Sequence, residues 1–309
     1  MNRPQGSILV SGASGPIGAA LLPALIERGY QVVRLVRRAS AAEGQIAWDP
    51  AQPLRPQSVS GFEAVVHLAG ESVVGRWTEA KKCRILESRV QGTRHLAEAL
   101  AEAPLRPRVL VSASATGYYG DRGDEVLTED SPPGKGFLPE VCRAWERAVE
   151  PAERAGIRAV QLRIGIVLSR DGGALQKMLA PFRLGAGGTM GNGRQWWSWI
   201  DVRDLVGAID YALTSTLAGP VNLVSPQPVT NREFTRTLGA VLSRPAIFPM
   251  PAFAARLVFG QMADELLLAS QRVEPAKLIA EGYSFQHTEL EAALEHNVKK
   301  TTQEDNVKR

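Results

Sequence analysis

Apolar residues first gather at Ile8-Leu9-Val10, a run too short for a helix, which predicts a buried strand. The pattern then changes to helical spacing over Ala19-Ala20-Leu21-Leu22-Pro23-Ala24-Leu25-Ile26 and returns to a strand at Gln31-Val32-Val33-Arg34-Leu35-Val36. Residues 41–60, rich in proline and polar side chains, predict a loop with one short strand around Ile46-Ala47-Trp48. Phe62-Glu63-Ala64-Val65-Val66-His67-Leu68-Ala69-Gly70 reads as a further buried strand ending in a small-residue turn, and residues 78–103 as a long helix with Ile85, Val90, Leu96 and Leu100 among its apolar positions. Strands are expected at Val109-Leu110-Val111, over 159–168 and over 219–224, and helices over 137–155 and 201–216. Beyond Ser225 the chain turns mostly helical, with Thr230 and Glu233 at capping-box spacing.

Strands alternating with helices predict an α/β fold built on a doubly wound, mostly parallel sheet with right-handed crossovers. The expected division is a nucleotide-binding domain over 1–166 plus 201–224. A smaller, mostly helical lobe on the substrate side covers 167–200 plus 225–297, and the polar residues 298–309 form a flexible tail.

Composition narrows the class. The 309 residues are 44 % hydrophobic and 22 % charged, ordinary for a globular protein. A net charge of +4 is spread along the chain, so no nucleic-acid partner is expected. Cys83 and Cys142 show no metal or redox spacing, and no apolar run reaches bilayer length. With the first strand almost at the N-terminus, the expectation is a cytoplasmic protein with no membrane partner; the oligomeric state is open.

The turn between the first strand and helix carries Gly12, Gly15 and Gly18 at G-x-x-G-x-x-G spacing, with Ser14, Pro16 and Ile17 between them. Such glycines allow a tight turn, close approach of a pyrophosphate and close helix–strand packing, and the helix N-terminus favours the anion. The fold is then a Rossmann-type dinucleotide-binding one. A cofactor with a free ribose 2′-hydroxyl needs an acidic residue at the end of the second strand. This chain has Arg37 and Arg38 there, with Arg34 nearby, which suit a 2′-phosphate, so NADP(H) is favoured over NAD(H). The turn Leu68-Ala69-Gly70 and Ser112 complete the expected cofactor contacts.

At the carboxyl end of the next strand stands Ser112-Ala113-Ser114-Ala115-Thr116-Gly117-Tyr118-Tyr119-Gly120, where parallel sheets place their chemistry. With the glycine fingerprint and the His67-Leu68-Ala69-Gly70 turn, this stretch resembles the extended short-chain dehydrogenases/reductases. Gly75-Arg76-Trp77-Thr78, Ser88-Arg89-Val90, Cys142-Arg143-Ala144-Trp145-Glu146 and Gly193-Arg194-Gln195 narrow the resemblance. They are similar to the subfamily labelled epimerase family protein (NAD-dependent epimerase/dehydratase), with its C-terminal domain of unassigned function, from residue 7 to 295. That resemblance implies an oxidoreductase or epimerase/dehydratase-like enzyme acting on a small polar substrate, a nucleotide sugar being one such class.

One departure stands out. The superfamily's Tyr-x-x-x-Lys pair is missing: Tyr118 has Arg122 four residues on, Tyr30 has Arg34, and the helix over 137–155 has no tyrosine. The resemblance makes Ser114 the substrate-orienting hydroxyl, assisted by Thr116, and Tyr119 the tyrosine closing the motif. Proton transfer falls to Glu71, Cys142 or Glu146, the first and last of which read equally as exposed carboxylates. His67 reads as a packed histidine. The glycine-rich 185–193 reads either as a flexible hairpin with aromatic core residues or as a lid bringing Arg194, Gln195 and Trp199 to the substrate. The missing lysine keeps a rival open, a non-catalytic NADP(H)-dependent redox sensor or protein-binding module.

Overall fold

The computed structural model describes residues 5–38 and 43–307; the side chains of residues 5 and 299–307 lie outside that description. Seven strands form the main sheet: β1 (Gln5–Ser11), β2 (Tyr30–Val36), β3 (Gln45–Ala47), β4 (Ala64–His67), β5 (Val109–Ala115), β6 (Arg158–Ile164) and β7 (Gly219–Leu223). Their order is β7-β6-β5-β4-β1-β2-β3, and every pair is parallel. The helices are α1 (Pro16–Glu27), α2 (Glu79–Glu102), α3 (Phe137–Arg147), α4 (Glu150–Arg154) and α5 (Gly173–Arg183). There follow α6 (Val202–Thr214), α7 (Asn231–Val241), α8 (Ala252–Phe259), α9 (Ala276–Ala280) and α10 (Leu290–Val307).

Side chains alternate across the sheet with the period of two that a strand imposes. Val10, Val66, Val111 and Leu162 pack on one face against Leu21 and Leu25 of α1 and Leu205 and Ile209 of α6. Leu9, Val65, Leu110 and Ala159 pack on the other, against Leu96 and Leu100 of α2 and Ala152 of α4. Both faces are covered, as a parallel sheet requires. The strand order reverses between β1 and β4, and a crevice opens at the carboxyl ends of strands flanking such a switch point.

Three elements differ from the expected ones. The strand over 159–168 divides at Gly165, where a Cβ would lie 2.5 Å from Ser198 O and 2.8 Å from Val224 Cγ1. The chain leaves the main sheet there, and Ile166–Leu168 pairs instead with Trp199–Asp201. The helix over 137–155 divides into α3 and α4, the second with a proline in its first turn. The tail expected over 298–309 belongs in its backbone to α10 as far as Val307, residues 308 and 309 lying outside the described residues. Leu290, Ala293, Leu294 and Val298 of α10 pack beside Leu175, Trp199 and Phe234 in a third apolar cluster.

Candidate functional site

The glycines of the first turn answer to different demands. Gly12 has φ +72°, and a Cβ on it would come within 2.6 Å of the Leu68 carbonyl carbon, so the turns after β1 and β4 touch backbone to backbone. At Gly18 a Cβ would lie 2.5 Å from Gly12 O. At Gly15 it would meet only Gly12 O at 3.4 Å, so no other part of the chain closes the space there. Gly15 is the N-cap of α1 and offers no side-chain cap; the first turn holds no acidic residue. That leaves an uncapped, positively polarised helix end beside an open approach, the arrangement that receives a phosphate.

Gly12 and Gly15 border a cavity of about 590 Å³ bounded by Ser11–Gly15, Arg34–Arg37, Trp48–Ala51, Leu68–Glu71 and, from α2, Arg84, Glu87, Ser88 and Gln91. Of the expected cofactor residues, Gly12, Ser14, Gly15, Arg34, Arg37, Leu68, Ala69 and Gly70 line it. Pro16, Ile17 and Gly18 sit behind it in the first turn of α1, and exposed Arg38 is outside the lining. Ser112 is buried with its hydroxyl toward Ala113 O, because its strand position faces the interior. Arg84, absent from the expectations, joins Arg34 and Arg37 as a third guanidinium. The carboxylates of Asp49, Glu71 and Glu87 make the lining mixed in charge.

Helix α2 holds the turn after β4. Ser88 Oγ accepts from Glu71 N at 3.0 Å, and Arg89 Nη1 donates to Glu71 O at 2.9 Å while its guanidinium lies 4.9 Å from the Trp145 ring. The Glu71 carboxylate accepts from Lys81 Nζ at 2.7 Å, and that bond, aided by the charges of Lys81, Arg84 and Arg37, holds its pKa below the usual range. Glu71 is therefore an ionised member of the rim and a poor general acid. His67 is fully buried against Ser11 Oγ at 2.6 Å, as a packed histidine, and burial lowers its pKa to about 4.

A second constellation joins β5, α3 and β6. Ser114 Oγ donates to Glu146 Oε1 at 2.7 Å, and Arg163 clamps both carboxylate oxygens, Nε to Oε1 and Nη2 to Oε2, each at 2.9 Å. Register places Ser114 directly beside Arg163. Arg163 Nη1 also donates to Tyr119 OH at 2.9 Å and Glu129 O at 3.1 Å, and the guanidinium lies 3.5 Å from the Tyr118 ring. Arg163 is the residue the sequence reading missed, although a charged side chain inside a buried apolar strand requires a partner and so announces one.

Several expected site residues point elsewhere. Tyr119 is 0 % exposed, and its phenol proton has Thr128 O and Asn222 Oδ1 as acceptors at 2.9 and 2.7 Å. Burial pushes its pKa up to about 12, so it is a structural joint between β5 and β7 and not a catalytic phenol. Cys142 is buried, and desolvation raises its thiol to about 12, which removes it as a proton carrier near neutrality. Gln195 Nε2 donates to Met190 O and Leu267 O, and Trp199 Nε1 to Gln227 O. Both are turned inward because the short ladder of Trp196–Trp197 with Val229–Thr230 fixes the segment against the lobe's core. Arg194 alone of that trio is exposed; Thr116 is buried in the turn that follows β5.

A profile of the NAD dependent epimerase/dehydratase family matches residues 8–224. The chain belongs to that family. Residues 250–296 match a C-terminal domain of unknown function, DUF1731, so the resemblance read from the motifs holds over both parts. The epimerase family protein Mb2239 of Mycobacterium bovis is 41 % identical over 290 residues, covering 93 % of this chain and 96 % of that protein. Human epimerase family protein SDR39U1 is 38 % identical over 297 residues, covering 94 % of this chain and 99 % of that one. The crystal structure of human SDR39U1 (isoform 2) with NADPH superposes with a TM-score of 0.87 at 37 % identity, over 95 % of this chain and 99 % of the human one.

Proposed function

We propose that this family member binds NADP(H) in the 590 Å³ cavity and is an oxidoreductase or epimerase/dehydratase-like enzyme for a small polar substrate bearing a hydroxyl group. The observation that carries the cofactor half is the set Arg34, Arg37 and Arg84 around the cavity, with no carboxylate at the end of β2. Three guanidiniums there match a 2′-phosphate in charge and geometry. The NADPH held by the human relative supports the same reading.

Bound NADP(H) supplies or accepts a hydride. The chain's part is positioning and proton handling. Gly15 leaves room for a pyrophosphate, and the turn held by Ser88 and Arg89 fixes the cavity wall. Glu146, paired with Arg163, accepts the hydrogen bond that the single hydroxyl hydrogen of Ser114 can make. Ser114 Oγ therefore has only lone pairs left for another partner, which favours a substrate hydroxyl donating to it over a carbonyl that needs a donor.

Titration of NADPH and NADH against wild type and Arg37→Ala tests the cofactor assignment. Wild type should favour NADPH by about 10- to 100-fold, the worth of one or two charge-assisted hydrogen bonds, and Arg37→Ala should lose most of that preference. Equal affinities in wild type would show that the arginines are surface charge. A second reading, a sensor that holds NADP(H) without turnover, draws support from the raised Cys142 thiol and the absent Tyr-x-x-x-Lys pair. Cofactor oxidation coupled to any small molecule in a carbonyl and nucleotide-sugar panel would rule that reading out.

A further inference from the structure

Two segments of the substrate-side lobe, spanning residues 184–191 and 247–258, are joined backbone to backbone. Phe248 N donates to Gly187 O at 3.1 Å, Met250 N to Thr189 O at 2.8 Å, and Gly191 N to Met250 O at 2.9 Å. From this strap project Leu184 (85 % exposed), Ile247 (72 %), Phe248 (60 %), Phe253 (73 %), Leu257 (75 %) and Val258 (56 %). They are six of the twelve exposed large hydrophobic side chains among the described residues, and Phe248 and Phe253 are the only exposed phenylalanines among them. Leu184 and Phe253 each stand three residues from the hydrogen-bonded strap, within about 10 Å of chain, so the six share one region. On α8 the usual amphipathicity is inverted: Ala255 faces inward and Phe253, Leu257 and Val258 face solvent.

Charge distinguishes this patch from ordinary surface. Residues 173–200 and 234–263 contain no Asp or Glu but six basic residues: Lys177, Arg183, Arg194, Arg236, Arg244 and Arg256. Arg256 is neutralised by Asp264 at 2.8 Å, which leaves the other five without an acidic residue in either stretch. Exposed aromatic and aliphatic side chains, with Arg183 beside Leu184, Arg244 just before Ile247 and no acidic residue within 184–191 or 247–258, fit a surface that is anionic outside and hydrocarbon within. The protrusions arise from a helix end, a strap and an outward helix face. Acyl chains accommodate such uneven relief, whereas a folded protein would need a matching pocket for each side chain.

We propose that this face docks peripherally on an anionic phospholipid bilayer, with Phe248, Phe253 and Leu257 entering the headgroup–acyl boundary and the arginines meeting lipid phosphates. No helix among the described residues is long and apolar enough to cross a membrane, and the absence of bilayer-length runs, from which no membrane partner was expected, bears on spanning and not on surface docking. The face is tied to the loop that follows Glu71, a residue of the cavity lining: Arg76 Nη1 donates to Leu257 O at 3.0 Å, and Gly75 N to Met262 Sδ at 3.2 Å.

Co-sedimentation of the full chain with vesicles decides the matter. With about 30 % phosphatidylglycerol in phosphatidylcholine at about 0.1 M salt, the protein should pellet, and pure phosphatidylcholine should weaken binding by about tenfold or more. The pair Phe253→Ser/Leu257→Ser, and independently Phe248→Ser on the other segment, should each lower binding to the anionic vesicles by about tenfold while leaving NADPH affinity and thermal unfolding unchanged. The proposal fails if wild type stays in the supernatant with anionic vesicles, or if both variants pellet as wild type does. It also fails if wild type sediments alone as a dimer that Phe253→Ser/Leu257→Ser splits, because a second copy would then cover the face.

Discussion

Replacing Arg163 by methionine removes the cation around which the second constellation is built. The Arg163 side chain is 3 % exposed and its Glu146 partner 13 %, so neither charge is appreciably hydrated in the folded state. Methionine fills much of the volume but deletes both hydrogen bonds to Glu146 and those to Tyr119 OH and Glu129 O. Tyr119 keeps an acceptor for its proton, and Ser114 still donates to Glu146. The dominant loss is a carboxylate left buried without its counter-ion, which costs about 3–5 kcal/mol. Against a total stability of about 5–15 kcal/mol that is a large fraction.

Removing both charges should cost far less, because a buried ion pair replaced by apolar groups of similar volume is often near neutral. The double variant Arg163→Met/Glu146→Met then loses mainly the acceptor for Ser114, about 1 kcal/mol. Urea unfolding of wild type, both single variants and the double variant closes a cycle: with about 3–5 kcal/mol for each single and about 1 kcal/mol for the double, the coupling should reach about 5 kcal/mol or more and change little with salt. An Arg163→Met variant within about 1 kcal/mol of wild type, or a cycle with no coupling, would refute the ion pair as the organiser of the site.

Three further outcomes follow from the geometry. Gly12→Ala should destabilise the fold, since its Cβ meets backbone at 2.6 Å under a positive φ, whereas Gly15→Ala should unfold at the wild-type urea midpoint but bind NADPH more weakly by calorimetry. Ser114→Ala should lower turnover by about 10²–10⁴-fold with cofactor affinity nearly unchanged, and an unaltered rate with any substrate found would remove Ser114 from the mechanism. His67 is held near pKa 4 against 6.5 when unfolded, so the unfolded state binds the proton first as pH falls. Its contribution is complete above about pH 6.5 and declines by about 3 kcal/mol towards pH 4, a slope that urea midpoints should show and His67→Gln should abolish.

The glycine turn, the strands and the two-faced burial of the sheet were legible because each is local: spacing of two residues or of three to four fixes which face a side chain takes. Ile8 and Leu9 could be assigned to opposite faces from their neighbours alone. What escaped depends on contacts distant in sequence. Tyr119 matches a motif position, yet its hydroxyl is claimed by Asn222 on β7, 103 residues away. Trp199 looks like a lid aromatic in a glycine-rich stretch, but its segment is paired with Ile166–Leu168, and that pairing exists only because the chain leaves the main sheet at Gly165. Arg84 belongs to a helix with no sequence cue that it borders the cavity lined by Arg34 and Arg37. Arg163 differs, since its charge within Ala159-Val160-Gln161-Leu162-Arg163-Ile164 was visible and required a buried carboxylate nearby.

That carboxylate changes the electrostatics of the whole site. Cys142 and Glu146 stand four residues apart on α3, the spacing that sets the superfamily's tyrosine and lysine on one helical face. The usual arrangement is a phenol with its pKa lowered by a neighbouring cation. Here the first position is a thiol raised by burial, and the second is an anion neutralised from β6 by Arg163. A cation beside a substrate oxygen stabilises negative charge developing there. Glu146 instead draws the proton of Ser114 toward itself and makes that hydroxyl an acceptor. The same anion disfavours an alkoxide at Ser114's partner, so hydride removal from a bound alcohol would require its proton to depart at the same time. Under the proposed function that proton would pass to Ser114, a residue only 3 % exposed, with Glu146 hydrogen-bonded behind it. Both Glu146 oxygens are already held by the Arg163 guanidinium. The relay proposed for Ser114 and Glu146 would therefore suit transient proton sharing within a transition state better than storage of a proton between steps, unlike a phenol–lysine pair.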